Sequence, residues 1–236
     1  FVQGSADDVD RAVQAARAAY PAWAATPWRE RVALLRRAAR LIEERVYAIS
    51  AAVAVEVGKN RMEAIGEVQE TADLIDWYAD RMEEADGFDR PLADDPLPNF
   101  KSHNRSVLRP YGVWAVIAPF NFPFALAGGP LGPALIAGNT AVFTCSAATS
   151  LSGWLLLECL RDAGLPPGVI NLVTGGDTTG RALAQHPDVA GITFTGSHAV
   201  GMQVLRASAA GRYPKPCITE MGGKNATIVS RHGDVE

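Results

Sequence analysis

Four short stretches of this sequence carry side chains that can do chemistry. Glu220–Asn225 (EMGGKN) sets a carboxylate ahead of Gly222 and Gly223, which lack side chains and let the backbone approach a ligand while Glu220 points into the same space. Pro119–Pro123 (PFNFP) holds the amide of Asn121 between two prolines. Such an amide can donate to a developing negative charge, but an Asx turn opening the next helix is the more ordinary use of a lone asparagine there. Thr195, Gly196 and Ser197, with Gly201 beyond, open a helix whose free N–H groups suit a phosphate. Ser197 is equally an ordinary N-cap, and no G-x-G-x-x-G fingerprint is present. Gly175 and Gly176 either leave room for a flat ring against the sheet or make a plain turn.

The pattern around these stretches shows what must position them. Val113–Ala118, Thr140–Thr144, Val169–Val173, Gly191–Phe194, Cys217–Glu220 and Ala226–Val229 are short apolar runs, most of them separated by helix-length segments. Runs with no polar face belong to strands covered on both sides, so the expected fold is α/β: a doubly wound, mostly parallel sheet with helices on both faces. Gly138 and Gly164 stand where the intervening helices should end. Ligands of such a sheet bind beyond the carboxyl ends of its strands, where all four stretches fall.

N-terminal helices precede the sheet. Ser5 and Asp8 form a capping box for the first, with Val9, Ala12, Val13, Ala16, Tyr20 and Trp23 on one face. Thr26 and Pro27 read as the N-cap and first residue of a second, running to Gly58. A third begins after Asn60, with Trp77 among its apolar positions and with Glu63, Glu67, Glu70 and Asp73 on a face expected to meet only water. Residues 86–101 are rich in Asp, Pro and Gly and read as a loop.

A net charge of −4 with scattered Lys and Arg gives no footprint for nucleic acid. No run of about 18 apolar residues suggests a membrane span, and no leader pattern is visible. Cys145, Cys159 and Cys217 lack metal-ligand spacing, which fits reduced, buried thiols and a cytoplasmic location. A first residue Phe1 and an end at Glu236 just after a strand-like run suggest a piece of something longer.

Taken in order, PFNFP, FTGSHAVG and EMGGKN resemble the Pro-Trp-Asn-Phe-Pro, Phe-Thr-Gly-Ser and Glu-Leu-Gly-Gly-Lys motifs of the aldehyde dehydrogenase superfamily, and the resemblance covers nearly the whole chain. Its helices, and the run from Gly112 through Phe143, look most similar to the branch that oxidises glutamate semialdehyde, the open form of 1-pyrroline-5-carboxylate. The resemblance implies NAD or NADP as cofactor, a small-molecule aldehyde as substrate, and a cysteine thioester on the path to a carboxylate. It makes Glu220 the base that activates the hydrolytic water and Asn121 the oxyanion donor. Burial of Glu220 would raise its pKa toward that task. A carboxylate base also speaks against the branch that passes its acyl group to coenzyme A. Ile117, Pro119, Phe120, Gly175, Gly180, Thr195, Gly196, Ser197 and Val200 match cofactor-contact positions, with Thr144 at the family's lysine position and Gly222 in the final glycine turn.

The same resemblance divides the chain into a helical segment 1–93, a linker and oligomerising strand region 94–108, and a Rossmann-like NAD(P)-binding region 109–236. It implies a homo-oligomer for the whole protein. Two departures stand out. Thr144, Cys145, Ser146 and Ala147 replace Lys-Pro-Ser-Glu, losing the lysine and the glutamate that hold the adenine ribose. The family's nucleophilic cysteine falls beyond residue 236, so the thiol domain is absent and this chain alone is expected to oxidise nothing. A rival reading is a non-catalytic nucleotide-binding or scaffold homologue of the same fold. A short-chain alcohol dehydrogenase would need a Tyr and Lys pair on one helix, which no tyrosine here supplies.

Overall fold

The computed structural model describes residues 1–234. Helices α1 (Ala6–Ala25), α2 (Trp28–Glu44), α3 (Val46–Val57) and α4 (Arg61–Glu84) come first. A small ribbon of β1 (Asp89–Pro91) and β2 (Arg105–Val107) follows. The remainder alternates: β3 (Val113–Ile117), α5 (Ala125–Ile136), β4 (Thr140–Thr144), α6 (Ser150–Asp162), β5 (Ile170–Leu172), α7 (Asp177–Gln185), β6 (Val189–Gly196), α8 (His198–Ala209) and β7 (Cys217–Met221).

The five strands from β3 onward form one parallel sheet in the order β5-β4-β3-β6-β7. That is a doubly wound sheet with its switch point between β3 and β6. Alternate strand residues serve two cores. Trp114, Val116, Ala141 and Phe143 pack against the layer containing α2, α4, α5 and α6. Val113, Ala115, Val142 and Ile192 pack against side chains of α1, α7 and α8.

The start of the sheet is pinned by one buried side chain. Asn139 Oδ1 accepts from the amides of Tyr111 (2.7 Å) and Gly112 (3.1 Å), while its Nδ2 donates to Ala134 O at 3.2 Å. The chain reaches Asn139 through Gly138 at φ 98°, a left-handed conformation that glycine adopts without steric cost. Gly138 thus ends α5 while Asn139 ties the entry of β3 to the entry of β4.

Several local features differ from the pattern. The Ser5–Asp8 capping box is present. Thr26, however, closes α1 instead of opening α2: its Oγ1 donates to Ala22 O at 3.0 Å, and Pro27 holds the N-cap position without a side-chain bond. The helix expected to reach Gly58 breaks at Arg45 (φ −102°, ψ 9°), where the Arg45 side chain ion-pairs with Asp162 of α6; this tertiary contact overrides the continuous apolar stripe. Residues 86–91 are not loop but a short 3-10 turn and β1. Trp77 is half exposed on the outer side of α4, since Ile75, Ala79 and Met82 fill the buried face.

Glu67 is the main reversal. It is 1% exposed, because it lies in the same stripe as Ala64, Val68 and Thr71, and it pairs with Lys59 and accepts the amides of Phe124 and Ala125 at the start of α5. The run Ala226–Val229 forms no strand. After Gly222 at φ 70° it finds no ladder partner among the described residues and lies exposed, so its apolar character alone cannot make it β.

Replacing Asn139 by Ala removes the acceptor of a buried amide at Gly112. Asn139→Ala should cost about 1–3 kcal/mol in urea unfolding, and an unchanged midpoint would contradict the pinning role.

Candidate functional site

Parallel pairing brings the strand ends to one level. Ile117 pairs with Thr144 on one side and with Phe194 on the other, and Thr195 pairs with Glu220. The loops leaving β3, β4, β6 and β7, with the turn after β5, enclose a cleft of about 810 Å³. Volumes near this suit a bound cofactor. Every residue matched to a catalytic or cofactor position lines it, Asn121 and Glu220 with Ile117, Pro119, Phe120, Thr144, Gly175, Gly180, Thr195, Gly196, Ser197, Val200 and Gly222, whereas Gly223 does not. Positions a hundred residues apart therefore share one rim.

Helix N-termini decide where a phosphate can sit. The first amides of a helix have no partner within it and attract anions. At α5 they are already taken by Glu67 Oε1, at 2.8 Å from Phe124 N and 3.3 Å from Ala125 N. At α6 they are taken by Glu56, which accepts from Leu151 N and Ser152 N, both at 2.8 Å. Carboxylates from the N-terminal helices thus occupy the two helix ends that follow β3 and β4. The end of α8 is different. Ser197 caps it by accepting from Val200 N at 3.3 Å, no carboxylate among the described residues binds its first amides, and Ser197 and Val200 face the cleft. The end of α7 carries no side-chain cap, Gly176 being its N-cap residue, but Asp177 places a carboxylate in its first turn. An anionic group therefore has its place at α8, on the far side of the switch point from the first strand-to-helix turn.

The glycines at the rim are of two kinds. A Cβ on Gly175 would meet Thr179 side-chain atoms at 2.5 Å, and one on Gly201 would meet Met221 and Phe194, so these two serve packing. A Cβ on Gly180 would meet nothing within 4 Å, although Gly180 lies inside α7 and lines the cleft. A helix-interior glycine costs about 0.8–1.0 kcal/mol relative to Ala. Packing therefore gives no reason to keep a glycine there.

Glu220 departs from expectation. It is exposed, not buried, because β7 is the outermost strand and its face bearing Ile218 and Glu220 is uncovered. The cysteines also divide. Cys145 and Cys159 are buried, and desolvation pushes the Cys145 thiol up to about 11 and raises that of Cys159. Cys217 is only half-buried, again because β7 is an edge strand. Cys145 lines the cleft but is a neutral thiol near pH 7, which is no nucleophile.

Sequence reading missed Glu56 and Glu67. Glu67 left a signal, a charge inside an apolar stripe at i+3 and i+4 spacing; Glu56 left none. It also missed Arg181 and Asp177 of α7, which line the cleft without hydrogen bonds or ion pairs among the described residues.

The model of the aldehyde dehydrogenase family matches residues 1–236. An N-succinylglutamate 5-semialdehyde dehydrogenase of Serratia proteamaculans is 41% identical over 231 residues, covering 97% of this chain and 45% of that protein. A 1-pyrroline-5-carboxylate dehydrogenase of Staphylococcus epidermidis is 38% identical over 236 residues, covering 98% and 45%. Among solved structures, a mutant of Bradyrhizobium japonicum proline utilization A (PutA) superposes with a TM-score of 0.88 at 36% identity, covering 94% of this chain and 23% of that one. The chain spans about 45% of the length of the curated relatives it matches.

The thiols give a pH test. A raised thiol pKa means that the folded state keeps its proton longer than the unfolded one, so the Cys145 contribution is fully present below 9.0 and is lost as pH rises through about 11. Native-state alkylation at pH 7.5 should label Cys217 well before Cys145 or Cys159, as peptide mass mapping reads out. Fast labelling of Cys145 at that pH would refute its burial.

Proposed function

The chain belongs to the aldehyde dehydrogenase family, and from that premise we propose that its cleft binds the NAD+ or NADP+ of an enzyme oxidising L-glutamate 5-semialdehyde, or a close analogue, to the carboxylate through a cysteine thioester. The observation that carries this reading is the convergence of Asn121, Glu220 and the carboxylate-free N-terminus of α8 on one cleft. The substrate class rests on the names of two relatives, which act on N-succinylglutamate 5-semialdehyde and 1-pyrroline-5-carboxylate.

The residues present suit a dinucleotide. The first turn of α8, capped only by the neutral hydroxyl of Ser197, suits its phosphates, and Gly180 leaves space beside α7. Ile117, Pro119 and Phe120 at the end of β3, with Thr195, Gly196, Val200 and Gly222, offer apolar and backbone surface to the rest. When bound, NAD+ or NADP+ supplies the hydride acceptor. Asn121 donates a hydrogen bond to the aldehyde oxygen as it gains negative charge under attack by a thiolate. Glu220 takes a proton from the water that cleaves the thioester, releasing the carboxylate and the thiol. Its exposure leaves it open to water on this face of β7. In this reading none of the three thiols is the nucleophile: Cys145 and Cys159 are buried with raised pKa values, and Cys217 does not line the cleft. This chain by itself then binds cofactor without turnover.

In this reading residues 109–236 form the cofactor region and residues 1–93 brace it. Residues 94–108, with the β1/β2 ribbon, form an arm that joins subunits of a homo-oligomer. Leu92, Leu97, Phe100 and Leu108 support that role, being large apolar side chains exposed on or beside the ribbon. No helix among the described residues is long and apolar enough to cross a membrane. Three free thiols fit a reducing cytoplasm.

The β4 end bears on cofactor choice. Thr144 is buried and Ala147 exposed, so neither offers a charge to the adenine ribose, and Arg181 is the one cation among the described residues that line the cleft. NAD+ should bind with little advantage over NADP+ in calorimetry, and strong rejection of NADP+ would refute this. Gly180→Ala should stabilise the chain by about 0.8–1.0 kcal/mol yet weaken dinucleotide binding; binding left unchanged would remove Gly180 from the site. In a protein of its relatives' length, Asn121→Ala should lower kcat by about 10²- to 10³-fold. Glu220→Gln should leave a single burst of reduced cofactor followed by a stall. Absence of dinucleotide binding in a well-folded protein would favour a non-catalytic scaffold instead, the reading to which the loss of lysine and glutamate at 144 and 147 points.

A further inference from the structure

We propose that Lys59 and Glu67 form a positioning pair that fixes Asn121 at the cleft, an inference that rests on the reading of Asn121 as the donor to the aldehyde oxygen. The Asn121 side chain is exposed and makes no hydrogen bond among the described residues, so it does not hold itself in place. Its neighbours hold it. Upstream, Ala118 N donates to Thr144 O at 3.0 Å, fastening the loop to β4. Downstream, Glu67 Oε1 accepts from Phe124 and Ala125, and Phe124 is fully buried. Between these anchors, the Lys59 ammonium lies 3.1 Å from the centroid of the Phe122 ring, the residue next to Asn121.

The two charges depend on one another. The Glu67 side chain is 0% exposed and that of Lys59 only 9%, and each is the other's ion-pair partner. A buried pair of this kind is costly to form and is not needed merely to cap a helix, a task that Ser5 and Asn60 perform at the surface. What it adds here is a second contact: Glu67 caps α5 with one oxygen and with the other holds the ammonium over Phe122. Neither residue lines the cleft, so both act through the loop that carries Asn121. A displacement of about 1 Å of a catalytic group can cost about 10²-fold in rate.

The test is a double-mutant cycle in a protein of its relatives' length. Glu67→Gln should lower kcat by up to about 10²-fold while dinucleotide affinity, read by calorimetry, stays unchanged. In an Asn121→Ala background the same change should cost no further activity. Multiplicative losses in the double variant, or a parallel loss of dinucleotide affinity, would show a general structural role and overturn the proposal. If Glu67→Gln does not fold, Phe122→Leu, which removes the ring beneath Lys59 and leaves the helix cap intact, should show the same non-additivity. If Asn121→Ala alone leaves kcat unchanged while cofactor still binds, the donor role of Asn121 fails and this inference falls with it; an intact donor role with additive losses sinks the positioning pair alone.

Discussion

The register between β3 and its two neighbours is the constraint on which the site depends. Ile117 faces Thr144 and Phe194 across the sheet, and Thr195 faces Glu220, so the strands stop together and their loops leave at one height. A slip of one residue would turn Trp114 and Val116 toward the α7 and α8 side and Val113 and Ala115 toward the α5 side. Both cores would then be mispacked and Asn121 and Glu220 would part. Asn139 guards against this from the other end, joining the entries of β3 and β4 through the amides of Tyr111 and Gly112. The functional rim is therefore set by a polar side chain one strand-length away from it.

Charge is distributed to the same end. A parallel sheet points the N-termini of several helices at one edge, and each is a weak anion site. In this chain the N-terminal helices supply Glu56 and Glu67 to the two ends that follow β4 and β3, while the end of α8 is capped only by the neutral side chain of Ser197. The N-terminal helices are thus more than a brace. In the proposed reading they leave the anionic cofactor only the far side of the switch point, which would let a doubly wound sheet offer a phosphate site without a glycine fingerprint in its first turn.

Much of this is legible in the sequence, for identifiable reasons. Strands buried on both faces leave continuous apolar runs, which is why β3, β4 and β6 can be read directly. Glycines that end helices, such as Gly138 and Gly164, mark their boundaries through positive φ. The rim residues stand out because short motifs with unusual composition sit at strand ends. What escapes depends on contacts distant in sequence or on local competition. Thr26 turns back to its own helix, Arg45 breaks a stripe to meet Asp162, and Glu67 reads as a solvated charge because its partners, the amides of Phe124 and Ala125, lie 57 and 58 positions away. The run Ala226–Val229 misleads in the opposite sense: β propensity without a neighbour yields no strand. Glu220 reads as buried and lies outside because an edge strand buries only what something else covers.

That uncovered edge has a practical consequence. Among the described residues β7 hydrogen-bonds to β6 on one side only, and Ile218 is 60% exposed on its face. Bare amides and carbonyls along a strand, beside apolar side chains, are a template for intermolecular pairing. Concentrated solutions of this polypeptide will be colloidally fragile, and lysine substitutions along β7 that spare Glu220 offer a direct route to well-behaved material for spectroscopy or crystallisation.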